Sequence, residues 1–429
     1  MHRRNKQAIK ILTKVDGVGP SCQDLTGIGK PACFDCFNYK EDEFQFSPIN
    51  TERNSMERKC IATGLIGLLL IFTSCNSQPA DKSVSISFDS SRLAKFEPSD
   101  GKVILFVGQD LESIGGTEFK DGYFDHFPGA GGFTQYTDFL SGNYSGGSIK
   151  RHNGLDALTS ITDWGDGPEN MSLTTSDPDF KNSCLAIGLD ISQGNDSITA
   201  MGKHDDLIYR LGNWLKGLGN RPVFLRIGYE FDGGDWNHYK QEFYIPAWKR
   251  IRTKLDSMSV NNIAYVWQSK GAGANRKELD SFYPGDNYVD WVAYSYFIPA
   301  DSSHPMIQFA RDHKKPLFIA ESSPVFLDSN NVCKPLDLTR QTDAEWAWKN
   351  WFTPYFRTVK NNPDVIKAIH YINSPWKTRP MWKENPYFKN IDARITKNDS
   401  LKIWWLRETS QEKYLKASDT LFTYLRNKK

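Results

Sequence analysis

Two glutamates stand where this chain could do chemistry: Glu230, in Pro222-Val-Phe-Leu-Arg-Ile-Gly-Tyr-Glu-Phe-Asp232, and Glu321, in Lys315-Pro-Leu-Phe-Ile-Ala-Glu-Ser-Ser323. Each closes a run too apolar to face water, the pattern of a buried parallel strand. A carboxylate at the end of such a strand sits where a parallel sheet opens to solvent, and two of them from separate strands can flank one bond. One would protonate a departing oxygen while the other attacks the carbon it leaves, which is the division of labour in glycoside hydrolysis. Alone, either glutamate reads equally as a helix cap or a surface salt bridge. The pair favours chemistry, because both belong to strand-then-helix units and the chain between them supplies further strand patterns.

From Lys102 onward, short apolar runs alternate with helical patterns, the signature of a parallel α/β architecture. Strands are predicted at Val103 to Val107, Leu185 to Leu189, Val223 to Ile227, Ile263 to Trp267, Val289 to Tyr294, Leu317 to Ala320 and Val365 to Tyr371. One more is expected between Ser148 and Thr162, where the pattern is poor. Leu207, Leu211 and Trp214 predict an apolar face on a helix from Asp205 to Gly217, and Tyr244, Trp248, Ile251 and Leu255 do so for Gln241 to Met258. Eight strands with outer helices in one body of about 330 residues point to a single (β/α)₈ barrel, with its chemistry on the loops that follow the strands. A doubly wound open sheet is the alternative, but no Gly-rich phosphate loop follows the first strand.

The chain ahead of this body reads as processing signal. Met56-Glu-Arg-Lys and the apolar run from Cys60 have the charge-then-apolar layout of a secretory signal, too short to span a bilayer. Phe72-Thr-Ser-Cys75 resembles a bacterial lipobox, which implies a lipid-anchored envelope protein whose mature chain begins at Cys75. A short buried helix is the alternative. Residues 1–55 then form an over-extended start or unstructured leader, 56–75 the signal, 76–98 a polar linker and 99–429 the barrel. Cys22, Cys33 and Cys36 make a weak metal-knuckle signal without a fourth partner. Cys184 and Cys333 leave room for at most one bridge in the body.

A net charge of +2 over 429 residues, with no block of like charge, gives no reason to invoke nucleic acid. Thirteen Trp and eighteen Tyr are more informative, since stacked rings hold the apolar faces of sugars, although the default for any one ring is core packing. His204, His304 and His313 lack a second ligand at useful spacing and read as surface residues. No metal or cofactor is expected.

Phe224-Leu-Arg-Ile-Gly-Tyr-Glu-Phe-Asp-Gly-Gly-Asp-Trp236 resembles the Arg-x-x-His-Glu-x-Asn-Gly-x-Trp stretch of glycoside hydrolase family 26, which contains β-mannanases and β-1,3-xylanases. Phe106-Val-Gly-Gln-Asp110, Tyr265-Val-Trp267, Val289-Asp-Trp-Val292, Pro316-Leu-Phe-Ile-Ala-Glu321 and Asp392-Ala-Arg-Ile395 are also similar, so the likeness runs from about Lys102 to Trp405. The resemblance implies a retaining mechanism on a clan A barrel, with Glu230 on the fourth strand as acid and base and Glu321 on the seventh as nucleophile. Retention needs carboxyl groups about 5–5.5 Å apart. Glu230 must hold its proton near neutral pH, which calls for desolvation or a neighbouring negative charge, and Glu321 must stay ionised, which calls for donors.

Arg226, four residues before Glu230, faces the same side of an ideal strand and would either donate to the nucleophile or close the barrel through an internal ion pair. Tyr229 stands where the family has His, and Asp232 where it has Asn. Trp236, Trp267 and Trp376 follow or end predicted strands, and Trp164 lies in the polar loop Asp163-Trp-Gly-Asp-Gly-Pro168. All four are candidate sugar platforms, with core packing the alternative for the first three. Trp376 resembles the tryptophan that floors the central sugar site in the clan. The sixth strand of the family ends in a tyrosine that bonds the nucleophile, a role assigned to Tyr296, with Tyr294 close by and Phe297 at the strictly aligned place. Together these residues imply a monomeric endo-acting hydrolase of β-mannan or β-xylan. A non-catalytic glycan-binding lipoprotein with a degenerate barrel is the rival, and an exo-acting enzyme with Asn143 to Asn182 blocking the groove is a third reading.

Overall fold

Eight runs of the chain are extended and almost wholly buried: Val103–Val107 (β1), Gly132–Asp138 (β2), Cys184–Asp190 (β3), Val223–Ile227 (β4), Ile263–Ser269 (β5), Trp291–Tyr296 (β6), Leu317–Ser322 (β7) and Ile366–Tyr371 (β8). The computed structural model describes residues 94–116, 118–139, 154–299 and 304–427, all within the unit Val84–Lys429. Each strand pairs in parallel with the next, and β8 returns to β1 with Ile104 opposite Ala368. Strands buried on both faces must be apolar throughout and need crossover helices to run parallel, which is why the apolar runs predict them. The sheet is closed on itself, so the fold is a (β/α)₈ barrel and the open doubly wound sheet is excluded. One short extra strand, Tyr414–Leu415, pairs with the start of β1.

The second strand is not where the sequence pattern puts it. It lies at Gly132–Asp138, while Gly154 to Thr162 forms turns, a 3₁₀ turn at Asp156–Leu158 and the start of a two-residue hairpin, Thr162–Asp163 with Pro168–Glu169. β2 alternates Thr134 and Tyr136 with Phe133, so it lacks the continuous apolar run that marks its neighbours.

Inside the barrel, Phe106, Phe224, Trp291 and Phe318 pack beneath the mouth, edge to face for Phe106–Phe224 and Phe224–Trp291 and tilted for Phe106–Phe318, with ring centroids 4.8 to 5.2 Å apart. Phe96, which the sequence reading leaves in the linker, joins this cluster with Leu421 and Leu425, and Trp291 donates its indole N–H to Lys95 O. The interior is therefore a packed floor, with space for chemistry only above it. Outside, the helix Asp205–Gly217 buries Leu207 and Leu211, and Gln241–Ser257 buries Tyr244, Trp248, Ile251 and Leu255, as their spacing predicts. Cys184 and Cys333 are both free, the first inside the barrel. The leader, the signal, Cys75 and most of the linker lie outside the described residues.

Candidate active site

β4 sends Phe224 and Arg226 inward and then leaves the sheet. Gly228 and Glu230 both have φ of +51°, in the left-handed region that glycine tolerates and glutamate resists. A side chain at Gly228 would also meet Tyr244 Cε2 at 2.7 Å. The strained backbone at Glu230 is held by its own carbonyl, which accepts from Asn237 Nδ2 at 2.6 Å and from Gly233 N at 2.8 Å. The turn thus lifts the Glu230 carboxyl over the mouth of the barrel instead of letting it follow the strand.

Glu321 needs a different device. In β7, Phe318 and Ala320 point into the barrel, so strict alternation would turn Glu321 out toward the helices. The pairing with β6 slips between Tyr294 and Ser295, which brings Ser295 opposite Glu321. Such an irregularity re-aims a side chain. Three donors then converge on Glu321 Oε1: Arg226 Nη1 at 2.7 Å, Tyr136 Oη at 2.9 Å and Gln268 Nε2 at 3.4 Å. Oε2 takes no hydrogen bond among the described residues. Arg226 is wholly buried, so this is an ion pair within the barrel and a donor to Glu321 at once.

The two carboxyls are linked. Gln268 Nε2 also donates to Ser295 Oγ at 3.1 Å, and Ser295 Oγ donates to Glu230 Oε1. Burial pushes the Glu230 carboxyl well above the ordinary carboxylate range, and the negative charge of Glu321 adds to the shift. One carboxyl has its proton affinity raised while the other sits on an arginine and two further donors. This arrangement suits an acid beside a nucleophile.

The remaining residues divide. Tyr229 is half-buried beside this pair, its ring 5.3 Å from that of Tyr136 and 6.2 Å from that of Trp236. Trp236 is 38% exposed and keeps an open face at the mouth. Trp164 is half-buried in the hairpin loop, which is tied across the mouth by Met381 N donating to Gly165 O at 2.9 Å.

Four assignments are corrected. Trp267 is core: Phe231 stacks on it at 4.3 Å and Phe309 lies 5.2 Å away, because its side chain alternates outward from β5. Trp376 is 2% exposed, stacked on Phe388 with its indole N–H on Ser323 Oγ, and offers a sugar no face. Asp232 is spent internally, accepting from Ser269 Oγ and from Lys270 N at 2.6 Å. Tyr296 packs outward against Trp351 and Tyr355, and the tyrosine on Glu321 is Tyr136. Among the histidines, His204 is buried and shares a hydrogen bond with Thr199 Oγ1. Among the described residues no group of three His, Cys, Asp or Glu can hold a metal ion, and no helix is long and apolar enough to cross a membrane.

The sequence reading missed Tyr136, Gln268 and Ser295. Gln268 follows Trp267 in a run read as ending there, and Ser295 carries no motif. It also missed a second group of carboxyls beside the mouth. Asp166 accepts from Gln109 Nε2 and Trp382 Nε1, and Glu169 from Gln135 Nε2. Burial raises Asp166 well above its ordinary value, with the charge of Asp110 adding to it. The folded state thus holds this proton more tightly than the unfolded chain does. The stability it contributes is complete below about pH 4, the unfolded carboxyl range, and is lost as pH rises through the folded value. Asp166→Asn is expected to flatten the alkaline fall of the melting temperature; thermal melts at several pH values check this.

A closed parallel barrel with two linked carboxyls at its mouth, one of them bound by a buried arginine, is the architecture of a glycoside hydrolase. A model of glycosyl hydrolase family 26 matches residues 125–377. A β-1,3-xylanase of a Vibrio species, TXYA, is 30% identical over 349 residues, covering 77% of this chain and 69% of its own. A β-1,3-xylanase of an Alcaligenes species is 31% identical over 348 residues, covering 77% and 68%. Among solved structures, a β-mannanase of the family from Bacteroides ovatus is 13% identical, with a TM-score of 0.49 over 75% of this chain and 93% of that one. The chain belongs to glycosyl hydrolase family 26.

Proposed function

We propose that this protein is an endo-acting, retaining hydrolase of β-1,3-xylan in which Glu321 is the nucleophile and Glu230 the acid and base. The observation that carries the reading is the asymmetry of the two linked carboxyls: Glu321 is held on Arg226, while Glu230 is bonded, among the described residues, only through Ser295 and is pushed by burial above the ordinary carboxylate range. Glu321 Oε2 attacks the anomeric carbon, and the bond to the leaving oxygen breaks as Glu230 hands over its proton. A water deprotonated by Glu230 then releases the sugar. The xylan assignment draws on the two relatives near 30% identity. Exposed Trp236 at the mouth suits a long polymer crossing an open cleft.

Incubation with soluble β-1,3-xylan, β-mannan and mixed-linkage glucan tests the proposal. Reducing ends from β-1,3-xylan, as mixed oligomers whose first-formed anomer is β, are expected. A single small product would indicate exo action, the first-formed α-anomer would overturn retention, and silence on all three polymers would leave a glycan-binding barrel. We extend the proposal to a monomer anchored at the bacterial envelope by lipid on Cys75. Loss of detergent-phase partitioning in Cys75→Ala tests the anchor.

A further inference from the structure

Tyr136 has a task that no motif announces. It stands on β2 directly opposite Gly188 on β3, and Gly188 stands opposite Arg226 on β4, so the three form one row across the barrel. The ring of Tyr136 lies over Gly188 and against the guanidinium, 4.8 Å from its carbon, and the hydroxyl donates to Glu321 Oε1. Gly188 has no left-handed backbone to justify a glycine in mid-strand. Its justification is space. A Cβ there would lie 2.3 Å from Tyr136 Cδ1, 2.5 Å from Cε1 and 3.0 Å from Arg226 Nη2. Meanwhile Tyr296, on the strand expected to supply this hydroxyl, points outward.

We propose that Tyr136 is the positioning residue of the nucleophile, that its hydroxyl fixes the rotation of the Glu321 carboxylate so that Oε2 faces the anomeric carbon, and that Gly188 is required to admit its ring. The inference rests on the assignment of Glu321 as nucleophile. Arg226 and Gln268 approach the same oxygen from β4 and β5. Tyr136 approaches from β2, so it supplies the third direction that two donors alone leave free. An attacking group turned out of line loses rate without losing substrate affinity.

The test separates this step from leaving-group protonation. A 2,4-dinitrophenyl 2-deoxy-2-fluoro-β-xylobioside would be attacked by Glu321 Oε2, expelling dinitrophenolate without a proton and leaving a slowly hydrolysed glycosyl ester. The wild-type enzyme is expected to release one equivalent of dinitrophenolate and to carry the added mass on Glu321. Tyr136→Phe is expected to trap about 10- to 100-fold more slowly, with kcat on polymer reduced in parallel, KM nearly unchanged and an unaltered melting temperature. Gly188→Ala should slow trapping in the wild-type background and add little in Tyr136→Phe. Wild-type trapping at Glu321 with an equal rate in Tyr136→Phe overturns the positioning role alone, as does a loss confined to KM. Label on another residue overturns the nucleophile assignment, and this inference with it.

Discussion

Glu321→Gln is expected to lose turnover by on the order of 10⁴-fold or more, the scale seen when a covalent nucleophile is removed, while still binding glycan. Glutamine keeps an acceptor oxygen for Arg226, Tyr136 and Gln268 but puts an amide where Oε2 would attack. The substitution also strips the counter-charge from a wholly buried guanidinium. Removing one partner of a buried pair costs about 3–5 kcal/mol, so a lower melting temperature is expected alongside the lost activity. Kinetics measured well below that transition, with binding followed by affinity electrophoresis on β-1,3-xylan, separate the two effects. A folded Glu321→Gln protein that still releases reducing ends would sink the mechanism.

Glu230→Gln should show a loss that depends on the leaving group. On polymer, where the departing oxygen needs a proton, about 10²- to 10⁴-fold is expected. On a dinitrophenyl glycoside the first step should survive and the second should slow, so the glycosyl ester accumulates and added azide restores turnover as a β-glycosyl azide. The acid works only while protonated, and burial with the charge of Glu321 raises its pKa, so wild-type kcat/KM on polymer should fall on the alkaline side, at a pH well above the ordinary carboxylate range. That limb should vanish with the dinitrophenyl substrate. An equal loss on both substrates would assign Glu230 to binding instead of proton transfer.

The barrel was legible because burial on both faces leaves a parallel strand few polar positions, so β1 and β3–β8 announce themselves as apolar runs. β2 failed this criterion since its inward row is Gly132, Thr134 and Tyr136, the last of them serving the site instead of the core. The helices Asp205–Gly217 and Gln241–Ser257 were readable from one apolar stripe each. The tryptophans were not, because a Trp after a strand has the same sequence signature whether it floors a cleft, as exposed Trp236 can, or packs between Phe231 and Phe309, as Trp267 does.

The amino-acid sequence by itself determined the barrel, the family and the pair of strand-end glutamates, since these depend on local periodicity and short motifs. Only the tertiary structure decided how the glutamates meet. The slip between β6 and β7 turns Glu321 inward, the left-handed turn after Gly228 lifts Glu230, and Gly188 lets a tyrosine from the second strand take the place expected of the sixth. Each is a relation between neighbouring strands. Register and lateral clearance are set by the partner strand and leave no periodic trace in the chain that obeys them.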